Sequence, residues 1–411
     1  MDGESRRKVI LPNTLIVLIG TSTLGFCCGL VGSLLLLRKR ALLADALAHS
    51  TLPGIVLGFL IAGSQAYWAL GAGALLTTLL GAVLVSRLPI LTRIRPDSAT
   101  ASILGIFFGT GIALLSIAQR SGPGAYSAGL DHFLLGQAAG MLQQEALTIT
   151  IVAVIVGALM ILLHKEIMVS CFDSTFGKGT GMSMGVIDLL VMLLLSITIV
   201  ISLPAVGVVL TAALVVIPPA TARFWTDRFT HLLAISALVG ALSGISGTLL
   251  SSQRLDLPTG PVIVLCSATL FAVSLIVAPH KGLVGRRLRW IRRKQRREMQ
   301  RILIFLHENL QGGNEFVARE RIIAGSLAAD SSALRFCILS GFVEQAGTHL
   351  RLTPKGIARA ERSISARKRW TEWLDSAAEI DRNLIDLDEE DIERLLDRRS
   401  MEIPDMERDS K

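Results

Sequence analysis

Charge is scarce in this chain of 411 residues: only 18% are Asp, Glu, Lys or Arg, and aromatic side chains make up 5%. An average soluble domain has about 25% charged residues, so the composition argues against an ordinary soluble domain. Apolar residues take the place of charge, because 51% of the chain is hydrophobic and the mean hydropathy is +0.56. This composition predicts an all-α membrane protein that crosses the bilayer several times.

Cysteine is also scarce, and its pattern argues against two kinds of site. The five cysteines are odd in number and show no C-x-x-C spacing, so neither a disulfide framework nor a thiolate metal site is indicated.

The segment F-G-K-G-T at 176–180 lacks the earlier Gly and the Ser or Thr after Lys178 that a Walker motif needs. The adjacent Asp131 and His132 point to opposite sides of any helix or strand, and we expect them to contact a partner or solvent. We therefore predict no ATP site, no catalytic residues and no cofactor in this chain, and we predict that it is not an enzyme.

Long apolar runs predict about eight or nine membrane-spanning helices before residue 280. Basic residues occur at every second connection, which places those connections in the cytoplasm. Nine crossings would then put the basic residues 6–8 outside, against the same rule, so the helix count and the side of the N-terminus stay open. The first run is too long for a signal peptide and is predicted to be retained. The predicted spans are residues 13–37, 41–62, 66–88, 99–118, 143–163, 186–203, 207–222, 232–251 and 261–278.

The second apolar run carries two ionisable side chains, Asp45 and His49, four residues apart. On a helix this spacing puts both on one face, where they can hold a cation. A charged side chain at membrane depth costs roughly 2.5–3.5 kcal/mol, so it usually faces a pathway or a partner. Pro53-Gly54 is expected to break the helix one turn later and to free carbonyl groups for coordination. Two interpretations stay open, a metal-binding pair and a hydrogen bond that holds the bundle in register.

Three motifs, in this order, carry a resemblance to a known family. They are A-L-L-A-D-A-L-A-H-S-T-L-P-G at 41–54, G-V-V-L-T-A-A-L-V-V-I-P-P-A-T-A-R at 207–223 and D-L-P-T-G-P at 256–261. Over about residues 13–285 the chain resembles the ABC-3 permeases, the membrane subunits of ABC transporters for manganese, zinc and ferrous iron. The paired prolines of the second motif are expected to end their helix before a cytoplasmic turn.

The resemblance implies a cell-membrane location in a bacterium and several partners. These are a separate ATPase subunit that binds the ATP, a second permease subunit that is identical or different, and an extracytoplasmic metal-binding protein. Asp45 and His49 would bind the transported ion, and an oxygen and a nitrogen ligand without thiolate fit manganese, iron or zinc better than copper(I). Two alternatives stay open: a permease for metal chelates of the siderophore or cobalamin type, and a membrane-anchored, metal-responsive transcription regulator.

The segment F-D-S-T-F at 172–176 is similar to the loop with which this family docks onto its ATPase. Asp173 is predicted to cap a short helix, and Phe172 and Phe176 are predicted to present one apolar face. The resemblance implies that these three residues form the docking site. The alternative is an amphipathic turn that lies on the bilayer surface.

The chain changes character after residue 280, and the last 130 residues or so are polar and charged. The segment 281–301 has ten basic residues and one acidic residue, and it is expected to lie on the anionic lipids of the inner leaflet. The predicted organisation is a transmembrane permease domain at 1–280, a basic juxtamembrane segment at 281–301, a winged-helix-like α+β cytoplasmic domain at 302–377 and an acidic tail at 378–411.

The winged-helix prediction depends on the order of elements, which resembles the DNA-binding domain of iron-dependent repressors. The third helix would read DNA, yet Arg335 is its only basic residue, and specific groove contacts usually need several polar or basic side chains. DNA is therefore not an expected partner, and a regulatory or partner-docking module is favoured. The predicted elements are helices at 302–306, 318–324 and 331–340 and a hairpin between 342–344 and 349–352.

Overall fold

The structure is a computed structural model. The chain divides into two compact units, with the boundary between Gly285 and Arg286. Each unit has its own hydrophobic core. The structure describes residues 2–63, 67–121, 136, 138–253, 257–279, 281–311, 317–318 and 331–376.

The first unit is a bundle of helices, which confirms the predicted all-α membrane fold. Within the described residues, eight helices are long and apolar enough to cross a membrane. The seventh predicted span is a shorter apolar helix of 15 residues, which is about 22 Å long and falls short of the roughly 30 Å hydrocarbon core. The helices are α1 (Asp2–Leu37), α2 (Leu42–Ala62), α3 (Tyr67–Leu91), α4 (Pro96–Ser121), α5 (Gln143–Leu162), α6 (His164–Phe172), α7 (Ser174–Gly179), α8 (Met184–Val206), α9 (Val208–Ala222), α10 (Phe229–Ser252) and α11 (Thr259–Val277).

Helix α1 packs along α10, α9, α5 and α8. Its crossing with α10 is close because glycines face each other there: a Cβ on Gly25 or on Gly240 would clash with the carbonyl group of the other. The hydroxyl oxygens of Thr21 and Thr248 lie 2.8 Å apart beside this crossing. Small residues and hydroxyl pairs are what hold helices together in a bilayer, because lipid tails are as apolar as the side chains.

Helix α9 continues through Pro218 and Pro219 and ends at Ala222, so the prediction that the prolines end this helix is wrong. Pro219 has no N–H for the carbonyl group of Val215, four residues earlier. That carbonyl oxygen lies against Gly32 of α1, where a Cβ would clash with it. The carbonyl group that the proline frees is thus packed against α1, and the helix continues.

The ends of the helices that carry basic residues are joined by polar contacts. Arg223 Nη1 lies 3.0 Å from Asp227 Oδ1, and Lys281 also pairs with Asp227. On α6, His164 Nε2 lies 3.1 Å from Thr230 Oγ1. We call this side of the bundle the basic end. These contacts bring the connections that follow α5, α9 and α11 to one end of the bundle.

The second unit combines helices with a small sheet. The predicted basic segment at 281–301 and the predicted helix at 302–306 belong to one helix, which begins at Leu283. The described elements are α12 (Leu283–Gln311), β1 (Val317–Ala318), α13 (Ser331–Leu339), β2 (Val343–Ala346), β3 (His349–Leu352) and α14 (Pro354–Ser376).

The sheet contains the predicted hairpin. Strands β2 and β3 are antiparallel, with Val343 opposite Leu352 and Ala346 opposite His349. Strand β1 pairs with the other edge of β3, which gives the order β1-β3-β2. The helix predicted at 318–324 is wrong at its first residue, because Ala318 belongs to β1, and the rest of it lies outside the described residues.

The core of the second unit includes a cysteine. Cys337 on α13 is fully buried beside Leu334 and Leu303. Burial raises the pKa of its thiol to about 12, because the thiolate would lose its hydration. The thiol therefore stays protonated and acts as a small apolar packing group.

Candidate functional site

Asp45 and His49 lie in the first two turns of α2, near the basic end. The connection from α1 is a tight turn in which Lys39 has a positive φ of 56°. Two backbone hydrogen bonds close this turn, from Lys39 N–H to the Leu36 carbonyl and from Arg40 N–H to the Leu35 carbonyl. The position of the pair is therefore fixed by a short and well-bonded connection.

The two side chains share one face of α2, as their spacing predicts. His49 Nε2 lies 3.5 Å from Asp45 Oδ1, and the side chains are 17% and 45% exposed. The imidazole also contacts Phe108 of α4 edge-on, at 4.8 Å between ring centroids. The ring is thus held between an aromatic wall and a carboxylate that remains open on one side.

The distance within the pair can be compared with that of a direct hydrogen bond and with that between two ligands of one cation. N–H···O bonds are usually about 2.7–3.2 Å long, so 3.5 Å is long for one. A metal ion about 2.1 Å from each of two ligands, at a tetrahedral angle, would hold those ligands about 3.4 Å apart. His49 Nδ1 is buried and has no hydrogen-bond partner among the described residues. The distance is thus long for a direct hydrogen bond and close to that between two ligands of one ion, and the metal-binding interpretation stays a prediction.

Asp45 and His49 are two side chains, fewer than a metal ion usually needs. In the part of the chain that the structure describes, no group of three or more His, Cys, Asp or Glu side chains is placed to hold a metal ion. Zinc in proteins usually has four ligands, and manganese has about six. A metal ion held by this pair would need further ligands beyond these two side chains.

Helix α2 is continuous through Pro53, so the predicted break at Pro53-Gly54 is wrong. Gly54 packs against the backbone of Gly73 on α3, where a Cβ would clash. The predicted effect on carbonyl groups still has a chemical basis. Pro53 has no N–H to donate to the carbonyl four residues earlier, and that residue is His49 itself.

The predicted capping residue of the loop is present. Asp173 Oδ1 accepts hydrogen bonds from the backbone N–H groups of Thr175 at 3.1 Å and Phe176 at 2.8 Å, which starts α7. The flexible G-K-G sequence does not prevent this helix, which runs for six residues. Phe172 and Phe176 are 62% and 60% exposed. The loop thus presents two large apolar side chains at the basic end.

One contact at the basic end could not be predicted from the sequence. Arg38 lies in the turn between α1 and α2, and its guanidinium contacts Asp188 of α8 and Ser170 of α6. These partners are more than a hundred residues away along the chain, so no local pattern links them.

The adjacent pair Asp131 and His132 lies outside the described residues.

The fold and the site define a polytopic helical membrane protein with an ionisable pair inside the bundle and a capped, apolar loop at one end. Comparison with known proteins identifies the family. Residues 11–278 match the ABC 3 transport family, and the chain belongs to it.

Named relatives cover most of the first unit. The chain is 39% identical over 321 residues to the manganese transport system membrane protein MntC of Bacillus subtilis, covering 77% of this chain and 74% of that protein. It is 41% identical over 268 residues to the zinc transport system membrane protein TroC of Treponema pallidum, covering 65% and 90%. A solved structure of PsaBC from Streptococcus pneumoniae, in complex with Fab, aligns with a TM-score of 0.58 and 26% identity, covering 66% of this chain and 93% of that one.

Proposed function

We propose that the chain is the membrane permease subunit of an ATP-binding cassette importer that moves manganese, iron or zinc across the bacterial cytoplasmic membrane. The relatives named as manganese and zinc transport proteins support the divalent metal as substrate. The observation that carries the proposal is the pair of Asp45 and His49, 3.5 Å apart on one face of a membrane helix. A carboxylate and an imidazole bind these ions without selecting strongly among them.

A metal ion needs more ligands than Asp45 and His49 provide, and a second permease subunit beside this chain would add them. Two copies related by a two-fold axis would bring two such pairs to a shared pathway, which would supply four protein ligands. An ATPase subunit would bind ATP at the basic end, and an extracytoplasmic protein would deliver the ion at the opposite end. Closing and reopening of the pathway would then expose Asp45 and His49 first to one side of the membrane and then to the other.

The test of this function is metal uptake by the complete transporter. Cells that lack their own manganese and zinc importers would express the native chain together with its ATPase and its binding protein. We expect at least one of radioactive manganese, iron or zinc to accumulate, and a variant ATPase that cannot hydrolyse ATP to abolish the uptake. Accumulation of cobalamin or of a ferric siderophore, without uptake of the free ions, would show that the chelate alternative is correct.

The exposed loop supports docking of the ATPase at Phe172, Asp173 and Phe176. We expect Phe176→Asp to abolish co-purification of the ATPase, because a charge on the apolar face would have to be buried in the partner's groove. The control is Thr175→Asp, which places the same charge on the same short helix beside that face. Equal recovery of the ATPase with both variants would contradict docking through the apolar face.

The basic helix α12 supports contact with anionic lipid on the cytoplasmic side. Val284, Leu288 and Ile291 recur at helical spacing and are 49%, 50% and 37% exposed. They continue the stripe that is buried in the core at Ile302. The helix begins six residues after α11 ends, so it starts at the bilayer edge. Each basic residue near such a surface contributes about 1 kcal/mol of attraction to anionic lipid.

Thiol labelling of the full chain in lipid nanodiscs would test this contact. With the native cysteines replaced, we expect Leu288→Cys to be protected from a water-soluble thiol reagent in anionic nanodiscs and to react in zwitterionic ones. Arg293→Cys, on the opposite and exposed face of α12, should react in both. Equal labelling of Leu288→Cys in the two lipids would show that the helix does not bind the anionic surface.

We propose that the second unit is a winged-helix-like module with a regulatory or partner-docking role. The order of its sheet, with a hairpin whose second strand is central, supports this assignment. The exposed face of α13 contains Arg335, Phe336 and Leu339, which suits an apolar protein partner better than a DNA groove.

A further inference from the structure

Arg38 is a nearly buried charge at the rim of the first unit. Its side chain is only 12% exposed, although it lies in a turn that also contains the exposed Lys39. Arg38 Nη1 lies 2.9 Å from Asp188 Oδ1, and Nη2 donates a hydrogen bond to Ser170 Oγ at 2.9 Å. A buried guanidinium without such partners would be strongly destabilising. The two contacts therefore hold Arg38 in one place.

The two partners of Arg38 belong to different functional parts of the unit. Ser170 lies on α6, two residues before Phe172 and the capped loop, and its hydroxyl also donates to the Ile167 carbonyl at 3.0 Å. Asp188 lies in the second turn of α8. A single side chain thus joins the docking loop, α8 and the connection between α1 and α2.

The joint is built so that it can open. Asp188 is 59% exposed, and a cavity of about 390 Å³ adjoins the pair, lined also by Cys171 and Met184. Water can therefore replace the ion pair when the elements separate, and an ion pair with one exposed partner is weak enough to exchange. A permanent structural contact would more usually be buried on both sides.

The joint is also connected to the metal-binding pair. Only four residues, Arg38 to Ala41, separate α1 from α2, and the backbone hydrogen bonds of this turn leave little freedom. Asp45 and His49 follow about one and two turns into α2. A displacement of Arg38 must therefore be passed on to the part of α2 that holds the pair.

We propose that Arg38 is a coupling residue. Its ion pair with Asp188 and its hydrogen bond to Ser170 transmit movement of the docking loop to the first turns of α2. ATP hydrolysis is thereby coupled to passage of the metal ion. This inference rests on the proposed function, and in particular on docking of the ATPase at the loop. Arg38 is a positioning residue, since it reaches the ion only through α2.

The test is the number of metal ions transported per ATP hydrolysed by the complete transporter in proteoliposomes. In Arg38→Gln and in the milder Asp188→Asn, we expect this ratio to fall about fivefold or more, in line with typical coupling between sites. The rate of ATP hydrolysis and the amount of assembled complex should stay at the native level. Combining Arg38→Glu with Asp188→Arg should restore most of the ratio, because the ion pair is rebuilt with its charges exchanged.

Lys39→Asn is the matched control. It removes a charge from the same turn, and asparagine tolerates the left-handed backbone of this position. We expect its ratio to be native. If transport and hydrolysis fall in proportion in Arg38→Gln and Asp188→Asn, or if the ratio does not change, the coupling role is wrong. If the exchanged pair does not restore the ratio, the link through Asp188 is wrong. If the native complex moves no divalent metal, the proposed function itself is wrong.

Discussion

Replacing His49 with alanine is expected to abolish metal uptake while the amount of transporter in the membrane stays native. The imidazole is one of the two side chains proposed to bind the metal, and the ring stands between Asp45 and Phe108. Loss of residues that merely orient metal ligands typically costs about 10–100-fold in affinity or activity, so loss of a ligand should cost at least that. The measurement is initial uptake of the accepted metal, divided by the amount of chain in the membrane.

Asp45→Asn tests the other half of the pair. Asparagine keeps an oxygen and the side-chain volume but removes the negative charge, so uptake should fall strongly. His231→Ala serves as a control, because it removes an exposed histidine from the basic end without touching the pair. Native uptake in both His49→Ala and Asp45→Asn would place the pathway elsewhere and would favour a wide chelate pathway, which needs no ionisable pair.

The sequence predicts the membrane helices well because the bilayer leaves the chain few choices. An apolar run must form a helix to satisfy its own backbone, so hydropathy locates α2, α5 and the others closely. Local hydrogen bonding is equally predictable, as the cap at Asp173 demonstrates. The spacing of Asp45 and His49 predicts their common face for the same reason, since it depends only on the period of a helix.

The sequence predictions are wrong where contacts between residues far apart in the chain determine the structure. A proline breaks a helix in isolation, but α2 and α9 continue through their prolines inside the bundle, where Gly54 and Gly32 lie against neighbouring backbone. The role of these glycines depends on residues that are far apart in the chain. The contact of Arg38 with Asp188 and Ser170 is of the same kind. Residues at crossings and turns therefore need the structure before their function can be assigned.

Replacing Gly25 with alanine should destabilise the bundle, because the cost of the clash should exceed the gain in helix propensity. The change gains about 1 kcal/mol of intrinsic helix stability, because alanine is the better helix former. Against this, the new methyl group would clash with the carbonyl group of Gly240, which belongs to backbone and cannot rotate away. Overpacking of a tight core costs about 1–3 kcal/mol or more, and here α1 and α10 must separate along their length. We expect reduced yield of folded protein and a lower unfolding temperature in detergent.

Gly109→Ala provides the comparison, because a Cβ at that position of α4 has no neighbour within 4 Å in the described part of the chain. The same helix-propensity gain applies there without the clash, so its unfolding temperature should equal or exceed the native value. The difference between the two variants isolates the contribution of the close crossing. If Gly25→Ala unfolds at the temperature of Gly109→Ala, α1 and α10 cannot be in backbone contact.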